Sequence, residues 1–129
     1  MSDHQATLRK LYEEGFNQGR LELLERLCAP DFLAAPGDKD LTAFTQGVAA
    51  LRAGFPDVRF VIEDMFGEGD RVAVRWRFEA THAGTFQGHA ATGRHVSQTA
   101  NVIYQFKQGQ IWRAWIQVDR LGLLQQISP

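Results

Sequence analysis

The feature that most constrains this chain is a change of hydrophobic period at Pro56. Before that residue, apolar side chains recur every three or four positions, the spacing of a helix face; after it they alternate, the spacing of a strand. Leu8, Leu11, Tyr12, Gly15 and Phe16 fall on one helical stripe, and Asn17-Gln18-Gly19 supplies a stop, because glycine enters the left-handed conformation easily. Ser2 and Gln5 have the spacing of a capping box, with Asp3 adding negative charge to the first turn. A short second helix carries Leu21, Leu23, Leu24 and Leu27 and ends before Pro30. Pro36-Gly37 marks a loop, Asp38 and Asp40 are acidic helix starters, and Leu41, Phe44, Val48, Leu51 and Phe55 form a third stripe closed by Pro56.

From Val58 onward the period is two. Val58, Phe60 and Ile62 alternate with Arg59, Val61 and Glu63, and Gly67-Glu68-Gly69-Asp70 turns the chain into Val72, Val74, Trp76 and Phe78. A glycine-bearing loop spans Gly84 to Gly93. A third strand runs from Val96 to Phe106, and Gln108-Gly109 turns it into a fourth, Ile111 to Asp119. Helices first and hairpin-linked strands afterward predict an α+β domain with an antiparallel meander. With 129 residues, 44% of them hydrophobic, and no linker or repeat, the chain reads as one domain.

Charge and cysteine content remove several functions. The formal net charge is -1 with both signs mixed along the chain, so no broad basic footprint for nucleic acid or an anionic membrane is expected. No apolar run approaches the length of a membrane span, and Met1 to Gln5 lack the basic start of a signal peptide, so a cytoplasmic location is expected. The single cysteine, Cys28, ends an apolar helical stretch and reads as an inert small hydrophobe. The four histidines show no metal-ligand spacing, and no metal site is expected. Gly88 to Gly93 has phosphate-loop glycine spacing without the Lys-Ser/Thr that such a loop needs.

The last strand separates two faces: Arg113, Trp115, Gln117 and Asp119 on one, Trp112, Ala114, Ile116 and Val118 on the other. Both carry large apolar groups, so both look covered. One meets helices or a pocket; the other suits a partner subunit, which makes a homodimer the expected assembly.

Several runs carry a family resemblance. These are Leu11 to Gly19 (Leu-Tyr-Glu-Glu-Gly-Phe-Asn-Gln-Gly), Leu51 to Phe60 (Leu-Arg-Ala-Gly-Phe-Pro-Asp-Val-Arg-Phe) and Glu68 to Trp76. Thr81 to Phe86 (Thr-His-Ala-Gly-Thr-Phe), Thr92-Gly93-Arg94 and Trp115 to Gln126 complete the series. In this order they resemble SnoaL-like polyketide cyclases over nearly the whole chain. The resemblance implies the nuclear-transport-factor-2-like fold, in which helices pack on a strongly curved antiparallel sheet around a cone-shaped pocket. It also implies a cofactor-free enzyme closing a ring in a polyketide, a small apolar or polycyclic carbonyl substrate, by intramolecular aldol addition. The family's acid/base carboxylate falls at Asp119, and Tyr12 falls at a position that lines the pocket. Where related cyclases pair that carboxylate with a histidine, this chain has none, and Gln105 lies nearest that place.

The residues themselves support two readings each. Asp119 beside Trp115 would lose solvation against an aromatic wall, which suits a general base; the plainer reading is a cap for the Leu121–Leu124 segment. His82, before Gly84 at a strand end, suits a donor at a pocket mouth or a surface histidine bonded to a turn. Tyr12, Phe16, Phe55, Trp76 and Trp115 suit a flat ligand or simple core, and Asn101, Gln105 and Gln117 are candidate polar contacts. Other isomerase, dehydratase or hydrolase chemistry, or a non-catalytic dimeric binding module, would use the same scaffold.

Overall fold

Helix α1, Asp3–Lys10, does not end where its apolar stripe continues; it widens into a π-helical turn, Leu11–Phe16. There the Asn17 N–H reaches back five residues to the Tyr12 carbonyl, 2.9 Å away. Two side chains lock this turn in place. The Asn17 carboxamide pairs with the Phe60 backbone, accepting at 2.6 Å and donating at 3.0 Å, and Arg52 donates to the Phe16 carbonyl at 2.6 Å. Tyr12 and Phe16 are thereby held over the sheet. A computed structural model describes residues 3–128; Ser2, half of the expected capping box, lies outside the described residues.

The remaining elements are α2 (Leu23–Leu27), β1 (Cys28–Ala35), β2 (Lys39–Asp40), α3 (Leu41–Gly54), β3 (Arg59–Glu68), β4 (Arg71–Thr81), β5 (His95–Lys107), β6 (Gln110–Val118) and α4 (Arg120–Ile127). Asp40 caps α3 by accepting from the Ala43 N–H at 2.9 Å, as its acidic starter position implies. Among the described residues no helix is long and apolar enough to cross a membrane.

Strands β3 to β6 form the expected antiparallel meander, and the full six-stranded order is β2-β1-β6-β5-β4-β3. The sheet is mixed, not wholly antiparallel, because β1 lies parallel to β6 with Ala34 opposite Ala114. Sequence reading placed Cys28 at the end of a helix; it opens β1 instead. The segment hides itself because it does not alternate and contains Pro30, which falls where the ladder to β6 shifts register between Cys28 and Leu33. Cys28 is buried all the same, and desolvation pushes its thiol up to about 12. That accords with the inert reading.

Irregular pairing bends the sheet. The register shifts between Ile62 and Asp64 where β3 meets β4, and again between Gln105 and Phe106 where β5 meets β6. The second shift carries Trp112 out of register, so its indole donates to Asp31 at 3.1 Å and its ring lies under Arg113 rather than in the core. The inner face holds Val72, Val74, Trp76 and Phe78 from β4 and Ala100, Val102 and Tyr104 from β5, all buried. Helix α4 closes the far end with Leu123 and Ile127 buried. Gln126 fastens it to β5, accepting from the Ser97 N–H and donating to the Ser97 carbonyl.

Candidate active site

Between the π-helical turn, α3, α4 and the inner sheet face lies a cavity of about 490 Å³. Its walls are apolar: Phe16 comes from the π turn, Phe44 and Leu51 from α3, Phe60 and Trp76 from the sheet, Leu124 from α4. Two tyrosines form its buried end. Tyr12 and Tyr104 are 1% and 2% exposed, and their hydroxyls are hydrogen-bonded to each other.

Burial raises both phenols. For Tyr12 desolvation is the largest cause and the neighbouring Tyr104 adds to it, while a hydrogen bond from the Trp76 indole opposes the rise. For Tyr104 desolvation again dominates, partly offset by the bond to Tyr12. Both groups therefore stay neutral at any physiological pH and act as hydrogen-bond donors, not bases. The hydrogens can be counted. Two hydroxyl protons are present and their mutual bond uses one, whichever tyrosine donates. The other has no acceptor among the described residues and is available to an oxygen atom entering the cavity.

Gln98, 8% exposed on the same strand as Tyr104, also lines the cavity. Its Nε2 donates to the Asp119 carbonyl at 3.1 Å, which leaves Oε1 without a protein partner among the described residues. The exposed end of the cavity is edged by Lys39, Thr85, Gln87 and Arg120. Among the described residues that line it there is neither a carboxylate nor a histidine.

A profile of the SnoaL-like polyketide cyclases matches residues 6–127, almost the entire chain. The chain belongs to the SnoaL-like polyketide cyclase family. Solved structures agree with this SnoaL-like assignment. A candidate polyketide cyclase from Acidithiobacillus ferrooxidans is 30% identical with a TM-score of 0.86, covering 98% of this chain and 94% of that one. IdmH, a candidate polyketide cyclase from Streptomyces antibioticus, is 29% identical with a TM-score of 0.83, covering 95% and 96%. AclR, a candidate hydroxylase from Streptomyces galilaeus, is similar in fold alone: 24% identical, TM-score 0.89, covering 98% and 96%. No curated protein matches the sequence.

In this SnoaL-like fold, three of the expected ligand contacts, Tyr12, Phe16 and Trp76, do line the cavity. Five others do not. Phe55 is fully buried one layer behind, against Phe78, His82 and Phe86. Asn101, Trp115 and Gln117 stand on the opposite face of the sheet, around a shallow groove with Phe66 and Ile103. Gln105 donates to Asp70 at 3.0 Å beside the β3–β4 turn. The reason is alternation: the residues of β5 and β6 that face inward are Gln98, Val102, Tyr104, Ile116 and Val118, and their odd-numbered neighbours face out.

Of the two residues singled out for chemistry, Asp119 takes the plainer of its two readings, the helix cap, and His82 takes neither of its own. Strand β6 ends at Val118, so Asp119 does not continue the Trp115 face, and Trp115 is 39% exposed on the outside. Asp119 is exposed and caps α4, its Oδ1 accepting from the Gly122 N–H at 2.9 Å. It does not line the cavity, although its neighbours Val118 and Arg120 do. His82 is neither at a mouth nor on the surface: it is fully buried. Its Nδ1 accepts from the Thr92 N–H at 3.2 Å and lies 3.0 Å from the Thr92 hydroxyl, while its backbone pairs with Arg94 and Gly93. His82 is the hub that folds the 83–94 loop back onto the domain, and its Nε2 has no hydrogen-bond partner among the described residues.

Arg75 and Arg77 serve surface ion pairs with Glu63, Asp64 and Glu79. The residues missed by sequence reading are Tyr104, Gln98, Lys39 and Arg120. The first two were accessible to it, because they are the only side chains with polar ends on the even-numbered face of β5 from Val96 to Phe106. The two cations gave no such signal.

Proposed function

We propose that this chain is a cofactor-free enzyme that closes a ring in a small, flat carbonyl compound by intramolecular aldol addition. The observation that carries the reading is the neutral Tyr12–Tyr104 pair at the buried end of an otherwise apolar cavity. Apolar walls hold a flexible substrate folded, so the entropy of ring closure is lost on binding and not in the chemical step. The spare tyrosine proton hydrogen-bonds a substrate carbonyl. When the adjacent carbon loses its proton, negative charge gathers on that oxygen, and a donor fixed in a low-dielectric site stabilises it more than water does.

The proton acceptor in this reading is Asp119. One carboxylate oxygen is used in capping; Oδ2 has no hydrogen bond among the described residues, and the chain neighbours of Asp119, Val118 and Arg120, both line the cavity. Asp119 takes the proton, the enolate carbon attacks a second carbonyl of the same molecule, and the carboxylic acid returns the proton to the new alkoxide. Isomerisation or dehydration would pass through the same enolate.

Asparagine caps helices about as well as aspartate, so Asp119→Asn separates the two roles. The variant should keep its melting temperature and lose turnover of ketone substrates by roughly 10²-fold or more. Unchanged turnover across a panel of small ketones and acyclic polyketide esters would reduce Asp119 to a cap.

The same reading includes a homodimer joined through the outer sheet face. Its support is three apolar side chains where a solvated strand would carry charge: Phe66, Ile103 and Trp115, 68%, 46% and 39% exposed. Sedimentation at micromolar concentration should give twice the chain mass, and Phe66→Glu should halve it. A wild-type monomer there would remove the dimer from the reading.

A further inference from the structure

We infer that the cavity takes a substrate whose carbonyl-bearing apolar body ends in an anionic group, a free carboxylate, held at the cavity's open end by Lys39 and Arg120. This rests on the reading of the cavity as a site for a carbonyl compound and adds the substrate's other end.

Lys39 comes from β2 and Arg120 begins α4, distant in sequence, yet both edge the same cavity. They are the only charged side chains that do so among the described residues. Neither forms an ion pair among those residues. This is not because carboxylates are lacking nearby. Asp40 follows Lys39 and Asp119 precedes Arg120, but each directs its side chain to a helix cap, Asp40 to the Ala43 N–H and Asp119 to the Gly122 N–H. Asp38, on the other side of Lys39, does not line the cavity either. The cavity therefore combines buried neutral donors, apolar walls and two exposed cations. A ligand complementary to that combination has an oxygen acceptor, a flat apolar body and an anion. Exposed cations supply a modest preference, screened by salt, and not a buried-site affinity.

Fluorenone-2-carboxylate and its methyl ester share a flat tricyclic ketone and differ only in the charge at one end. Binding is read on the full chain by quenching of tryptophan fluorescence, since Trp76 forms part of the wall. The acid should bind about fivefold tighter than the ester at low ionic strength, with the preference shrinking at high salt. In a Lys39→Gln/Arg120→Gln variant the two affinities should converge. Equal affinities in the wild-type protein, or a preference for the acid that survives in the double variant, would overturn the inference while leaving the cavity a carbonyl site. If neither probe binds, the inference fails together with the reading beneath it.

Discussion

Replacing Gly84 with alanine should destabilise the protein by on the order of 3 kcal/mol and lower its melting temperature by roughly 10 °C. A methyl group built at Gly84 would lie 2.2 Å from the Ala53 carbonyl oxygen and 3.4 Å from the Gly54 Cα. Those are backbone atoms at the end of α3, with no rotamer to move away. Relief requires the loop to lift, and lifting it breaks the bonds from the Ala83 and Gly84 N–H groups to the Gly54 carbonyl, 3.1 and 3.0 Å long. Thr85, Phe86 and Gln87 would move with it, and all three line the cavity, so ligand affinity should fall as well. Gly47→Ala is the internal control. It lies within α3, where apart from its own helix backbone no described residue comes within 4 Å of the added carbon, and alanine there should stabilise by up to about 1 kcal/mol. Thermal or urea unfolding of the two variants checks both signs. Equal melting temperatures for Gly84→Ala and wild type would mean that the loop is not held by this contact.

That loop also marks a boundary of what the sequence alone reveals. Its glycines and the strands on either side were readable, because turn chemistry and period two are local. That His82 folds inward to bind Thr92 was not, since both partners sit in irregular backbone. The same distinction explains β1. Its partner is β6, far along the chain, and a parallel neighbour leaves no turn residues to announce it. The π-helical turn was invisible because a stripe through Leu8, Leu11, Tyr12 and Phe16 is compatible with α or π winding.

Alternation told which residues of β6 share a face, but not which face looks inward. That choice is made by what packs against the sheet, and assigning Trp115 and Asp119 to the inside followed from the wrong one. Tyr12 was placed correctly through its position in the family. Its partner Tyr104 required reading β5 together with the first helix, across a separation that no local pattern spans.

The second large effect concerns those two tyrosines. Tyr12→Phe or Tyr104→Phe alone should destabilise by about 1–3 kcal/mol, because each leaves the other hydroxyl buried with one partner fewer. The double variant should cost less than the sum of the singles, since both polar groups are then gone. Turnover should behave differently. Either single variant disturbs the donor, and removing both should lower the rate by roughly 10²- to 10³-fold, the usual consequence of losing an oxyanion donor. Stability that partly recovers while turnover does not is the signature of a pair kept for chemistry.

The most direct reading of that pair comes from the ligand. The infrared carbonyl stretch of bound fluorenone-2-carboxylate reports a hydrogen bond to its ketone oxygen without requiring turnover. In the wild-type protein the stretch should lie at lower wavenumber than in an apolar solvent, and in Tyr12→Phe/Tyr104→Phe it should return to the apolar position. A stretch that is the same in both proteins would mean that the tyrosine hydroxyls do not meet the carbonyl, and the proposed chemistry would lose its site.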